Sequence, residues 1–395
     1  MVPPLSAAAM LAAAPAMPLT PPPPVVSAAP GTPPAAPPAP HLLVVEWQAG
    51  PMRCADGAPR PRRIEPPFAV YATRYQPRVG AAGPIPPVTL RFRIDAAGTP
   101  YAIARDRLDP TAILLNGPGP SYADSSDLDP ALAAARFATG APHDGCTITY
   151  SALASPLEAA AKPLLHRLLG GPSARTAPRV LWRAAQPEDG DCYRREQLAP
   201  AVRVFIDPRR APSAPGSWNW AVVQHDVDAA GRVTNLRPLA GSDDTAYAEE
   251  ARRAAAQNRF YGGGRRGCLA YFVQPPRAPL RAPPGPELPT LLRPGDTCQP
   301  DRDDRLARPR KPQFPLAFRR RAIEGWAILR FDIAPWGAVG NVETVLAEPA
   351  AAFGAAAVDA LGGATRTGPA TPQGERGCLV RVRFGMPAPG EADPD

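Results

Sequence analysis

The chain has 395 residues, of which 58 are Pro and 45% are hydrophobic, and its formal net charge is +8. Alanine supplies much of the hydrophobic fraction, so large apolar residues are thin, which excludes one well-packed α/β enzyme core running end to end. A polytopic membrane protein is excluded as well, because no strongly apolar stretch reaches the roughly 18 residues a membrane helix needs. Alternating runs such as Val88–Ile94 mark strands, which excludes wholesale disorder.

The expected elements begin with a modest Ala-rich stretch at residues 5–17, with small residues at Ala14 and Ala16. This pattern is expected of a cleaved signal peptide over residues 1–17, although no basic residue precedes the apolar part; a membrane anchor is the competing reading. Residues 18–40 are dominated by Pro and Ala, including Pro21, Pro22, Pro23 and Pro24, and are expected to be an extended linker without a core.

Three segments then follow one pattern. Each has a strand entering a Gly turn: Val88–Ile94 before Gly98, residues 220–227 before Gly231, and residues 326–333 before Gly337. Each ends in a Gly-Cys-led strand, at Cys146, Cys268 and Cys378, and each carries an earlier cysteine, at Cys54, Cys192 and Cys298. Cys192 precedes Gly231 by the interval at which Cys298 precedes Gly337, and Trp220 and Trp326 keep the same step; the first copy is looser.

Six cysteines without CxxC spacing suggest disulfides and an oxidising compartment. They allow 15 pairings. One early and one late cysteine per segment make Cys54–Cys146, Cys192–Cys268 and Cys298–Cys378 the simplest set, with free buried thiols as the alternative.

In the third segment Ala327, Leu329, Phe331 and Ile333 alternate on one strand face, with Trp326, Ile328 and Arg330 on the other. A second strand runs over residues 339–346. Phe353, Ala356, Ala357, Ala360 and Leu361 then form one stripe of a helix. The expected fold class is α+β: three tandem small domains, each a strand-strand-helix-strand unit with an antiparallel sheet and one helix packed on it. The boundaries are 41–155 (divergent), a linker at 156–178, 179–275, a Pro-rich linker at 276–290, 291–386, and a tail at 387–395.

The third segment resembles the C-terminal domain of TonB-type energy transducers, and the first and second resemble it more weakly. Phe314-Pro315 and Ala317, followed by Glu324-Gly325-Trp326 and Phe331, are similar to the family's aromatic-Pro start and first strand. Gly337, Val339, Val342 and Val345 resemble its second strand. Phe353, Ala356 and Ala357 resemble its helix, and Val380, Val382 and Phe384 its last strand. The resemblance implies a periplasmic protein that binds proteins or peptides, such as segments of outer-membrane receptors, and reaches the membrane through those partners. It implies no enzyme activity, and a structural envelope adaptor without an energy-transducing role is the alternative. A three-stranded sheet leaves an edge to which an extended peptide adds. Leu379, Arg381 and Arg383 on the last strand are the candidate partner-binding residues, with the arginines favouring an acidic peptide.

Other chemistry finds little support. No Walker A, GxGxxG, GxSxG or HExxH motif is present, so no catalytic residue, cofactor or metal ligand is assigned. The Gly262-Gly263-Gly264 run enters a strand rather than a helix, which is a connection rather than a phosphate loop. Asp124, Asp127 and Asp129 read as loop solvation and helix capping, and Arg319-Arg320-Arg321 as an exposed basic turn. All basic residues but Lys162 and Lys311 are Arg. No nucleic-acid-binding signature accompanies them, so no nucleic-acid partner is expected.

Overall fold

The computed structural model describes residues 41–74, 85–106, 123–192, 198–298, 306–308, 310–367 and 371–386. The expected signal peptide, the linker at 18–40 and the tail at 387–395 lie outside them. The architecture is α+β, built from antiparallel sheets with few helices.

The first sheet has five strands: β1 (His41–Ala49), β2 (Val70–Arg74), β3 (Val88–Ile94), β4 (Pro100–Arg105) and β5 (His143–Pro156). Their order is β2-β1-β5-β3-β4. In β3, Val88, Leu90, Phe92 and Ile94 are buried while Arg91 and Arg93 are exposed, the alternation of a half-covered antiparallel strand. Helix α1 (Leu128–Ala134) is buried along its whole length. The sheet is larger than the unit expected from sequence, because β1 and β2 add to the far side of β5.

Residues 156–178, expected as a linker, fold into packed structure. Helix α2 (Lys162–Leu169) and the short α3 (Arg179–Ala184) direct Leu165, Leu168, Leu169 and Leu181 into a small core with Val44 of β1.

The second sheet comprises β6 (Asn219–Val227), β7 (Val233–Gly241) and β8 (Arg265–Gln274), in the order β7-β6-β8. Helix α4 (Thr245–Gln257) lies on it, its N-terminus closed by the Asp244 side chain, which accepts from the Tyr247 N–H at 2.9 Å. The β6–β7 turn needs Gly231: φ is +77°, and a Cβ there would sit 2.1 Å from the Phe260 carbonyl oxygen.

The third sheet follows the short helix α5 (Leu316–Arg320) and repeats that order. It contains β9 (Gly325–Ile333), β10 (Val339–Glu348) and β11 (Glu375–Phe384), arranged β10-β9-β11, with helix α6 (Ala351–Leu361) on one face. Gly325 opens β9 because the Phe353 ring lies against its Cα, 2.5 Å from where a Cβ would be. Three disulfides, Cys54–Cys146, Cys192–Cys268 and Cys298–Cys378, tie β5, β8 and β11 to the segments that precede each sheet or its later strands.

The first and third sheets share a single core. Leu90, Phe92, Ile94 and Phe137 belong to the same buried cluster as Phe318, Phe331, Phe353 and Phe384. The edge strand β4 docks on the third sheet, where the Ile103 N–H donates to the Pro349 carbonyl at 2.9 Å. Arg321 fastens the same junction. Its Nε and Nη2 donate to Asp127 at 2.7 and 2.6 Å, Nη2 also donates to the Pro66 carbonyl, and the guanidinium lies 4.2 Å from the Phe68 ring centre. Arg321 is 1% exposed, so the third arginine of the run is an internal tie rather than part of an exposed turn. Asp127 is occupied by that tie and makes no side-chain cap on α1. Asp129 pairs with Arg105.

Candidate functional site

β11 is an edge strand, and its two faces differ from its edge. The helix-side face of the third sheet is filled by Phe353, Ala357 and Leu361 of α6 against Ala327, Leu329, Val380, Val382 and Phe384. The opposite face is covered by the Pro-rich segment before it. Leu288 packs with Trp326, Ile328 and Leu379, and the Trp326 indole N–H donates to the Pro283 carbonyl at 2.6 Å. Leu280 bridges to Ile323 in parallel register.

The same segment supplies a charged clasp. Arg330, on the covered face of β9, donates to both carboxylate oxygens of Asp296 at 2.6 Å and to the Leu291 carbonyl at 2.7 Å. The Arg330 guanidinium, helped by the Arg293 backbone N–H, holds the Asp296 carboxyl below its usual range. At the start of β11, the N–H groups of Thr297 and Cys298 donate to the Arg376 carbonyl.

Leu379 is 3% exposed, turned under the Pro-rich segment, so its side chain meets that segment and not solvent. Arg381 is half-buried: its guanidinium donates to the Pro286 carbonyl and lies 5.7 Å from the Trp326 ring centre. Arg383 is exposed. Among the described residues, no backbone hydrogen bond outside the sheet engages residues 378–384. Among the described residues, the strand thus has a backbone edge without a further strand, with Arg383 beside it rather than a row of two arginines. Sequence reasoning missed the covering segment; the only available signal was that Trp326, Ile328 and Leu379 form a second apolar stripe too large to leave in water.

Other candidate groups do not assemble a site. The sulfurs of Cys298 and Cys378 and the Glu375 carboxylate lie within 4.8 Å of one another, but the two sulfurs are bonded together and offer no thiolate. Gly262, Gly263 and Gly264 connect Phe260 to β8, with no helix N-terminus ahead of them. His166 donates to or accepts from the Tyr271 hydroxyl at 2.8 Å, and burial lowers its pKa to about 4. No helix among the described residues is long and apolar enough to cross a membrane.

The family model of the Gram-negative bacterial TonB protein C-terminal matches residues 310–386, which span α5, the third sheet and α6. No curated protein matches the chain.

Proposed function

We propose that the chain is a TonB-like protein of the periplasm whose third sheet binds an extended segment of an outer-membrane transporter by strand addition along β11. The observation that carries this reading is the open backbone edge of β11 inside the stretch matched by the TonB C-terminal family, whose domains interact with proteins such as outer-membrane receptors. Main-chain hydrogen bonds would supply the affinity, and Arg383 would favour an acidic flank through long-range attraction. Three tandem units of one ancestry, suggested by the repeated spacing and by the shared order of the second and third sheets, belong to the same proposal.

A structural adaptor without a transport role is the second reading. The core shared by the first and third sheets supports it, because it builds the candidate domain into a rigid assembly. Affinity capture of outer-membrane proteins on the disulfide-intact chain, joined to siderophore uptake in a deletion strain, separates the two. Capture of a transporter together with impaired uptake is the expected result. Absence of any bound receptor segment with uptake intact removes the transport reading and leaves the adaptor.

A further inference from the structure

The second and third sheets share strand order and register but not their interiors. His225 of β6 faces Cys268 across the ladder, as Phe331 of β9 faces Cys378. Gln274 pairs with Asn219 at the start of β6, and Phe384 pairs with Gly325 at the start of β9. Tyr247 is the third residue of α4, and Phe353 the third residue of α6. Pro208 precedes Trp220 by the step at which Phe314 precedes Trp326. In the third sheet, rings at these positions close the interior: Phe353 meets Phe384 at 5.3 Å and Phe314 at 6.0 Å, and Phe314 meets Phe384 at 5.8 Å.

In the second sheet the four corresponding positions, Pro208, His225, Tyr247 and Gln274, line one cavity of about 890 Å³, within the size range of small-molecule sites. Three of them bring polar groups that the fold does not satisfy. His225 is 2% exposed, Tyr247 1% and Gln274 7%. The Tyr247 hydroxyl and Gln274 Oε1 have no hydrogen-bond partner, and neither ring nitrogen of His225 has one at good geometry. Buried polar groups left unpaired cost about 1–3 kcal/mol each, so three in one cavity call for an explanation.

The chemistry of the lining selects the occupant. The cavity is lined at positions that phenylalanine rings hold in the third sheet, and Phe260 lies stacked on His225 at 5.9 Å, so a flat ring has aromatic surface to lie against. Gln274 Oε1 accepts only, the Tyr247 hydroxyl can donate or accept, and a neutral imidazole offers one of each. Burial lowers the His225 pKa, opposed more weakly by the Val223 backbone and Asp226, and burial raises that of Tyr247, so both stay neutral at pH 7. The lining cations Arg203 and Arg277 are exposed, and Arg203 already lies over the Phe205 ring. No buried charge waits for a counter-ion.

We propose that the cavity between β8, α4 and residues 203–208 is a binding site for a small uncharged aromatic molecule that carries both a hydrogen-bond donor and an acceptor. The site stands apart from β11 and does not depend on the function proposed for that edge.

The test uses the full chain with its disulfides intact and 2-naphthol as the probe, titrated by calorimetry and followed by the His225 ring signals in NMR. One saturable site with a Kd of about 1 mM or tighter is expected. Tyr247→Phe, which removes only the hydroxyl, should weaken binding by about 3- to 10-fold, the range of one hydrogen bond. The double variant His225→Phe with Gln274→Phe, which restores the residues of the third sheet, should abolish it. The anion 2-naphthoate should bind at least ~10-fold more weakly than 2-naphthol, because its charge would be buried unpaired. Three results each overturn the proposal: no saturable 2-naphthol binding, which leaves a cavity holding water only; binding unchanged by Tyr247→Phe; or 2-naphthoate binding as tightly as 2-naphthol, which assigns the site to an anion at the arginine rim. Tyr247→Phe keeps the test decisive if the double variant fails to fold.

Discussion

Arg321 illustrates how far one side chain's meaning depends on where the chain carries it. In the sequence it closes a run of three arginines; in the fold it is the deepest cation described, held by Asp127, the Pro66 carbonyl and the face of Phe68. Burial raises the Asp127 carboxyl, against the pull of the Arg321 charge and the Phe68 N–H, so removing the arginine leaves a buried carboxylate with the Phe68 N–H but no counter-charge to offset its desolvation. Arg321→Met is expected to lower unfolding free energy by about 3–5 kcal/mol, and adding Asp127→Leu should recover most of that loss, as read by denaturant unfolding. His166 makes a second residue-scale prediction. Its folded pKa is about 4 against 6.5 for the free group, so its contribution is complete above pH 6.5 and lost as pH falls from 6.5 toward 4. The unfolding free energy from denaturant titrations should decline across that window by at most about 1.4 kcal/mol per pH unit from this group, and His166→Gln should flatten the decline.

At the scale of elements, the strand-turn-strand pairs and the long helices were legible because their signals are local. The Gly-led turns at Gly98, Gly231 and Gly337 all take positive φ, and the stripe from Phe353 to Leu361 is a buried helix face. The even cysteine count pointed to disulfides, and three are present. What was not legible depends on contacts between distant segments. Nothing local tells β1 to join β5, or Leu379 to lie beneath Leu288. Leu379, Arg381 and Arg383 follow in the sequence from the unpaired edge of a three-stranded sheet and from strand alternation, which separates two faces but cannot report that the second face is covered too. The Cys298–Cys378 bond closes a loop with a sequence separation of 80. Replacing both residues with Ala should cost about 4–5 kcal/mol in the chain-entropy account, measured as a shift in the denaturant midpoint under oxidising conditions.

At the scale of the whole molecule, the first and third sheets cannot be lifted apart without opening one buried cluster. A chain limited to residues 291–386 loses the Phe92 and Ile103 side of that cluster, the Asp127 partner of Arg321 and the Leu288 cover of Trp326. Such a fragment is expected to expose apolar surface and to lack a cooperative thermal transition, whereas the full chain should unfold its first and third sheets in one step. Calorimetry on both checks this; two separate transitions for those sheets in the full chain would contradict it.

The Pro-rich stretch covers one face of the third sheet without extending the sheet. Prolines lack the amide donor a ladder requires, so a cover made of Pro283, Pro284, Pro286 and Pro289 can lie across Trp326 and Leu379 without itself becoming a fourth strand. Because each ring also narrows the conformations open to the unfolded chain, laying this splint down forfeits little freedom. The sheet is thus sealed on one face by a segment whose prolines cannot donate to the ladder, so the cover adds apolar contact without adding a strand.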